Sequence, residues 1–338
     1  MRVSDIGEFG LIDLLAGMVS QARDKEAPSW QNLIIGIGDD AAVWRGNAGT
    51  QLATVDSFVQ DVHFTLDIFP WEEIGWKALA VNLSDIAAMG GTPGYALVAL
   101  AMPGETDVEN IVQLYRGLIE LAKQSGVAII GGNISRAPAV VIDVTVLGEA
   151  GGKSGQVLTR SAAQPGDKIA VTGYPGTAAA GLEILKRKSG FEPAIVAALS
   201  RAFLHPTPRL AEGRVLLQGG VKAAIDISDG LVADLRHICR MSKVGARVEI
   251  DRVPVNPLVK ASFKDKSLVM ALSGGEDYEL LFTARAEIIE KVRAKVSCPV
   301  MVIGEITGDN TGQVILVGGG GETAVPERMG WDHFRGKY

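Results

Sequence analysis

The sequence predicts an α/β protein with α+β layering: two domains, each a mixed sheet packed with helices. Its 338 residues leave room for two cores of ordinary size. Apolar residues make up 47% and charged residues 21%, the balance of a globular chain without disordered tails. Strand-like and helix-length segments follow one another as strand, strand, helix, strand, helix, strand, strand up to Gly148, an order that implies layers around a mixed sheet. The glycine-rich stretch Glu149–Gly155 reads as a junction, dividing the chain into domains at 1–149 and 150–338.

The elements follow from local pattern. Phe9, Ile12, Leu15 and Met18 line one face of a helix over Gly7–Met18. Asn32–Ile37 and Gln51–Val59 read as a β-hairpin with Asp39 and Asp40 at one end. From Lys77 a helix runs to Gly90-Gly91, closed by glycine and stopped by Pro93. A strand at Tyr95–Met102, a helix at Val108–Ser125 capped by Thr106 or Asp107, a strand at Val127–Ile130 and another at Val140–Gly148 complete the first domain. In the second, Lys168–Thr172 leads through Gly173-Tyr174-Pro175-Gly176 into the helix Thr177–Lys186, whose first amides can bind an anion or simply build the turn. Pro206–Gln218 is a helix, Ala223–Ile227 a strand, and Leu231–Met241 a helix that Ser228 or Asp229 could cap. Arg247–Ile250 is a strand, and the turn Ser273–Asp277 enters the strand Tyr278–Thr283. A helix at Ala286–Ala294 and strands at Val300–Ile306 and Val314–Val317 follow.

One residue in this scheme is chemically out of place. Asp85 is the only charged residue between Lys77 and Glu105, in a helix of small and apolar neighbours. A carboxylate buried there costs several kcal/mol unless a cation or hydrogen bonds compensate it. No Lys or Arg stands at i±3 or i±4. Either Asn82 and Asp85, three apart on one face, turn to solvent, or Asp85 points into a site that holds a metal ion. Asp56 raises the same question, because it interrupts a strand, where aspartate is disfavoured. So does Asp226, at the end of another.

Several other chemistries are excluded. The net charge is −6 with no basic run, so nucleic acid is not the expected partner. Two cysteines, Cys239 and Cys298, are too few for a disulfide framework or a cysteine metal site. The first residues carry Asp5, Glu8 and Asp13 and have no apolar signal core, so a cytoplasmic protein is expected. The uncharged run Ile86–Gly104 is broken by Gly90, Gly91, Pro93, Gly94 and Pro103 and does not read as a membrane span. Gly36-Ile37-Gly38-Asp39-Asp40-Ala41 fits a dinucleotide fingerprint, but Gly46–Gly49 turns the chain where the helix should continue. Gly151-Gly152-Lys153-Ser154 lacks the P-loop's first glycine, since position 147 is Leu147. No HExxH and no GxSxG is present.

What remains is a set of carboxylates at strand and loop ends, flanked by glycines: Asp39, Asp40, Asp56, Asp85, Asp226, Asp229 and Glu276. Such hard oxygen ligands suit Mg²⁺, which commonly bridges carboxylates to substrate phosphates. Eight segments, in order, are GIGDDAAV (36–43), TVDSFVQDVHF (54–64), WKALAVNLSDIAAMGGTP (76–93), IIGGN (129–133), LTRSAAQPGD (158–167), AIDISDGLVADL (224–235), LSGGEDYELLF (272–282) and GWDHF (330–334). By these segments the chain resembles the thiamine-monophosphate kinase family, of the aminoimidazole-ribonucleotide synthetase-like ATP-binding superfamily, over nearly its whole length.

The resemblance implies ATP-dependent phosphorylation of thiamine monophosphate to thiamine diphosphate, with several Mg²⁺ ions. On matching positions it implies metal ligands at Asp39, Asp56, Asp85, Asp226 and Asp229, assisted by Thr54 or the Val55 backbone. It places Gly132, Asn133, Arg160 and Ser228 against ATP, and His63, Glu276 and Trp331 against the thiamine moiety. Asp85, Asp226 and Arg160 are the residues on which the chemistry would depend. It also implies a homodimer formed by the N-terminal domain. Two departures stand out: Asn133 where many members carry aspartate, and Ala162 where glycine is common. A selenophosphate synthetase, the nearest rival, needs a reactive cysteine near the N-terminus, and the first cysteine here is Cys239.

Overall fold

The computed structural model describes residues 1–35, 37, 43–46, 49–151, 155–187, 190–326 and 330–331. The chain divides into two compact units, Met1–Ile86 with Thr92–Ala150, and Ala87–Gly91 with Gly151–Tyr338. Both are α/β with mixed sheets.

The first unit contains α1 (Val3–Ala22), α2 (Pro28–Asn32), β1 (Leu33–Ile35), β2 (Val43–Trp44), β3 (Gln51–Val59), most of α3 (Trp71–Ala88), β4 (Thr92–Met102), α4 (Val108–Ser125), β5 (Ala128–Arg136) and β6 (Val141–Glu149). Its sheet has the order β3-β6-β4-β5, antiparallel except for β4 with β5. Alternation along the strands makes one face apolar and buried: Ala96, Val98, Leu100 and Met102 of β4 with Ile142, Val144 and Val146 of β6. Thr54 lies opposite Val146 and Asp56 opposite Val144, so both belong to this buried face. The other face carries Ala53, Val55, Tyr95, Leu97, Thr145 and Leu147, none of them fully buried.

α3 is apolar on nearly every side, as expected of a helix enclosed by its own protein. From Ile74 to Ala88 every residue is buried except Asp85. α4 is amphipathic instead, burying Ile111, Leu114, Leu118 and Leu121, and it ends on Gly126 in the left-handed conformation. α3 and α4 cross with their backbones nearly touching. A Cβ on Gly117 would lie 1.9 Å from the carbonyl oxygen of Glu72, and one on Gly75 would lie 1.8 Å from that of Leu114. Behind β3, Phe58, Phe64 and Phe69 form an aromatic cluster, and the buried Lys77 ammonium lies 5.4 Å from the Phe69 ring centre.

The second unit contains β7 (Lys168–Thr172), α5 (Thr177–Arg187), α6 (Pro193–Leu204), α7 (Leu210–Gly219), β8 (Ala223–Asp226), α8 (Leu231–Ser242), β9 (Gly245–Glu249), α9 (Pro257–Phe263), α10 (Lys266–Ser273), β10 (Leu280–Ala284), α11 (Ala286–Arg293), β11 (Val300–Thr307), β12 (Val314–Val317) and β13 (Thr323–Ala324). Its sheet runs β13-β12-β9-β11-β7-β10-β8. One core forms around α8 with Ile225, Val248 and Ile303; another forms under α7 and α11 with Phe282, Leu280 and Val300. No helix among the described residues is long and apolar enough to cross a membrane.

Several expectations are corrected. The hairpin between Asn32–Ile37 and Gln51–Val59 does not form: β1 pairs with β2, and β3 pairs with β6. Alternation marks a strand without naming its partner. Tyr278 lies outside β10 with φ 51°. α7 starts at Leu210 rather than Pro206, because Pro208 disfavours helical backbone just before it. β5 continues through Gly131, Gly132 and Asn133 to Arg136. α6, α9 and α10 had no expected counterpart.

The α3–α4 crossing yields a stability test. Gly117→Ala forces a methyl into the Glu72 carbonyl and is expected to destabilise the first unit by at least about 1–3 kcal/mol, read as a lower urea midpoint.

Candidate functional site

In the first unit three predicted residues meet. Thr54 and Asp56 are two apart on β3, so both point toward the helical side, where Asp85 stands as the half-buried exception on α3. Thr54 Oγ1 donates to Asp85 Oδ2 at 2.5 Å. The Asp56 and Asp85 carboxyls are also hydrogen-bonded to each other. Burial, then the Asp85 charge and that bond, push Asp56 up to about 6. Two carboxyls held together against a buried helix disfavour double ionisation, and a divalent cation reverses that preference. The donor set, two carboxylates and a hydroxyl, is all hard oxygen and fits Mg²⁺. Asn82 is fully buried, so Asn82 and Asp85 do not turn together to solvent.

The other predicted residues of this unit lie apart from that trio. Val55 sends its side chain to the opposite face, 61% exposed, leaving its backbone as the only group it could offer beside Thr54 and Asp56. Asn133 sits opposite Ala99, in the row of Asp143 and Ser57, also on the opposite face from Asp56. Gly132 is explained by backbone proximity: a Cβ there would fall 1.8 Å from the Val98 carbonyl oxygen. His63 is built into the turn after β3. Its Nδ1 accepts the Val59 N–H at 3.0 Å, which puts the proton of the neutral ring on Nε2, and the ring stacks on Phe58 with centres 5.8 Å apart. Asp39 and Asp40 lie outside the described residues, as do Asp332, His333 and Phe334 of the GWDHF segment.

In the second unit a loop between β8 and α8 gathers the remaining residues. Asp226 ends β8 almost fully buried, and Ser228 and Asp229 follow. Neither Ser228 nor Asp229 caps α8. The N-cap is Gly230, and the cap is supplied from inside the helix by Asp234. One oxygen of its carboxyl, Oδ2, accepts the N–H groups of Ser228, Asp229 and Gly230, each at 3.1 Å. Burial, with the Asp226 and Asp229 charges, raises the Asp234 carboxyl well above the usual carboxylate range. Asp229, Asp234 and His237 bring ligand-type atoms within 4.8 Å of one another. His237 is held below its ordinary value by burial and by the Arg160 charge, which places the exposed Arg160 in the same electrostatic neighbourhood.

Backbone bonds tie the substrate candidates to this loop. The Trp331 N–H donates to the Asp229 carbonyl at 3.2 Å, and Trp331 keeps 38% of its surface exposed. The Glu276 N–H donates to the Ser228 carbonyl at 2.8 Å, and the Tyr278 N–H donates to that of Ile227 at 2.9 Å. The start of α5, open in sequence to an anion or to structure, is taken by structure: Asp277 Oδ2 accepts the Gly176 N–H at 2.7 Å, and Oδ1 accepts that of Ala178 at 3.1 Å. Burial raises Asp277 to about 8 against these two bonds, with Glu279 and Glu276 adding to the rise.

Thus Thr54, Asp56 and Asp85 form one group, and Asp226, Ser228, Asp229, Glu276 and Trp331 form another around a shared loop. Sequence reasoning missed Asp234, His237 and Asp277. A search for caps looks upstream of a helix, whereas Asp234 reaches back from its first turns. A polar basin of about 670 Å³, lined by Lys168, Glu249, Arg252, Glu290, Arg293 and Glu305 among others, contains none of the predicted residues. Its three cations pair with its own glutamates.

Comparison with known proteins agrees with both units. The chain matches the AIR synthase related protein, N-terminal domain, over residues 38–150, and the AIR synthase related protein, C-terminal domain, over residues 164–317. It is 37% identical over 313 residues to a thiamine-monophosphate kinase of Bacillus subtilis (strain 168), covering 89% of this chain and 94% of that protein. The crystal structure of thiamine-monophosphate kinase from Stenotrophomonas maltophilia K279a superposes with a TM-score of 0.79 at 35% identity, covering 93% of this chain and 96% of the other. AaThiL complexed with AMPPCP and TMP gives 0.76 at 31% identity, covering 99% of each chain. The chain therefore belongs to the thiamine-monophosphate kinase family of enzymes.

Proposed function

We propose that this enzyme transfers the γ-phosphoryl group of ATP directly onto the phosphate of thiamine monophosphate, giving thiamine diphosphate and ADP. The observation that carries the reading is the Thr54–Asp56–Asp85 group, a cluster of hard oxygen ligands at the one residue between Ile74 and Ala88 that is not fully buried. The likeness to AaThiL, which was crystallised with AMPPCP and TMP, supplies the substrates: AMPPCP stands in for ATP, with a bridging carbon where the cleavable oxygen would be, and TMP is read as thiamine monophosphate.

The chemistry needs little from the side chains beyond charge and position. A terminal oxygen of the acceptor phosphate attacks the γ-phosphorus in line. The bond from that phosphorus to the β,γ-bridging oxygen breaks, and ADP leaves with the electron pair. The nucleophile is anionic at neutral pH, so no general base is required. The obstacle is repulsion between two polyanions on a protein of net charge −6. Bound Mg²⁺ supplies the bridging positive charge. In the first unit Asp56, Asp85 and Thr54 would hold Mg²⁺, with Asp39 and the Val55 backbone as further proposed ligands; in the second unit Asp226 and Asp229 are the proposed ligands. Arg160 adds a fixed cation, with Gly132, Asn133 and Ser228 against the nucleotide. His63, Glu276 and Trp331 take the thiamine end, where the thiazolium cation suits an aromatic face.

We also propose a homodimer through the less buried face of the first unit's sheet, where Val55, Leu97, Tyr95 and Leu147 lie in adjacent rows. Trp44 packs on Tyr95 at its end, with ring centres 5.1 Å apart. A cytoplasmic setting accords with the need for ATP and with two free cysteines.

The decisive assay incubates the protein with ATP, Mg²⁺ and thiamine monophosphate and separates products by chromatography; ADP without thiamine diphosphate would sink the proposal. Asp85→Asn and Asp226→Asn are each expected to lower turnover by about 100-fold or more, and wild-type turnover in either removes that residue from the metal set. Trp331→Ala should raise KM for thiamine monophosphate while leaving kcat largely unchanged. Leu97→Asp should convert a dimer to a monomer in sedimentation equilibrium.

A further inference from the structure

We infer that Asp277 is a positioning residue for substrate recognition: its carboxyl pegs the 273–278 turn to the start of α5 and so holds Glu276 in the conformation that meets the acceptor. The inference rests on the proposed role of Glu276 toward thiamine monophosphate.

The turn is held in an unfavourable backbone state. Glu276 has φ 66° and Tyr278 has φ 51°, so Asp277 is flanked on both sides by non-glycine residues in the left-handed region. Such residues persist only where the surrounding structure over-determines them, and they concentrate at binding sites. Here the surroundings can be named. On one side the Glu276 and Tyr278 N–H groups donate to Ser228 and Ile227 at 2.8 and 2.9 Å. On the other side Asp277 reaches the start of α5 with both oxygens, accepting Gly176 N–H at 2.7 Å and Ala178 N–H at 3.1 Å. A carboxyl oxygen at that place also satisfies helix-start amides that have no partner within α5.

The same bonds explain why Asp277 positions rather than binds. Each oxygen already accepts a backbone N–H, so the Asp277 carboxyl is committed to the start of α5. Asparagine cannot replace the arrangement, because its amide nitrogen would face an N–H donor. Asp277→Asn therefore loosens one of the two pegs while leaving the size and shape of the side chain almost unchanged.

The experiment compares wild type, Asp277→Asn, Glu276→Gln and the double variant by steady-state kinetics toward both substrates, with folding checked by circular dichroism. Asp277→Asn is expected to raise KM for thiamine monophosphate about 10-fold and change KM for ATP by less than about 2-fold, and the double variant to be no worse than Glu276→Gln by more than about 2-fold. An unchanged KM for thiamine monophosphate in Asp277→Asn, equal changes for both substrates, or independent losses in the double variant would each overturn the inference. A measurement without any substitution covers the case of a variant that does not fold. Amide hydrogen exchange in the unliganded wild type should show Gly176 and Ala178 protected, and exchange at the rate of free first-turn amides would overturn the peg. The two claims fail separately. Absence of thiamine diphosphate formation by wild type removes the proposed function and this role with it, whereas normal turnover with an insensitive Asp277→Asn removes only this role.

Discussion

The first unit depends on a repulsion that the fold holds in place. Asp56 and Asp85 come from different elements, a strand and a helix, and meet through a hydrogen bond between carboxyls. Left to themselves, two like charges in a partly dry niche would separate or share a proton. Close packing around them opposes separation. α3 is enclosed along the whole stretch that carries Asp85, and the aromatic cluster of Phe58, Phe64 and Phe69 stops the end of β3 from moving away. The backbone contact of α3 with α4 at Gly75 and Gly117 removes the remaining freedom. The apolar packing thus supplies the preorganisation that a cation site needs, with the electrostatic cost carried by the core.

The second unit uses carboxyls in the opposite sense. Asp234 and Asp277 each sit at a helix start and accept backbone N–H groups: Asp234 those of the 228–230 loop, and Asp277, from the turn that carries Glu276, those of Gly176 and Ala178 at the start of α5. Helix starts of this kind are common anion sites, but here a carboxyl oxygen built into the chain takes the amides. Glu279, next to the same turn, accepts a forked pair of bonds from Arg209 and a bond from Thr172. Acid residues therefore divide by what they face. Those bonded to main-chain amides or to arginine shape the loops, and the proposed metal and substrate residues stand beside them in sequence.

Much of this was legible in the chain, and the reason differs by feature. α3 and α4 show in the sequence because composition alone declares one enclosed and the other amphipathic. Asp85 shows because a lone charge in an apolar helix has few physical explanations. β3 was found but misassigned to a hairpin, since a period of two records which residues share a face and not which strand lies alongside. α9, with seven residues and about two turns, is too short to repeat an apolar face convincingly. The three-way bond of Asp234 depends on the loop doubling back over the helix, a geometry that residue spacing does not encode.

The register of β3 on β6 has a consequence for folding fidelity. Thr54 and Asp56 face the helices only because they stand opposite Val146 and Val144. A slip of one residue would preserve the number of ladder bonds nearly intact, yet it would present Ala53, Val55 and Ser57 to Asp85 and turn Thr54 and Asp56 outward. β3 is an edge strand, with β6 as its single ladder neighbour among the described residues, so register there is guarded by one seam. Phe58, buried on the same face as Asp56, is the proofreader of that seam. A misregistered molecule would have to expose a phenylalanine at the moment it turned Thr54 and Asp56 away from Asp85, which ties the assembly of this group to the same side-chain burial that stabilises the sheet.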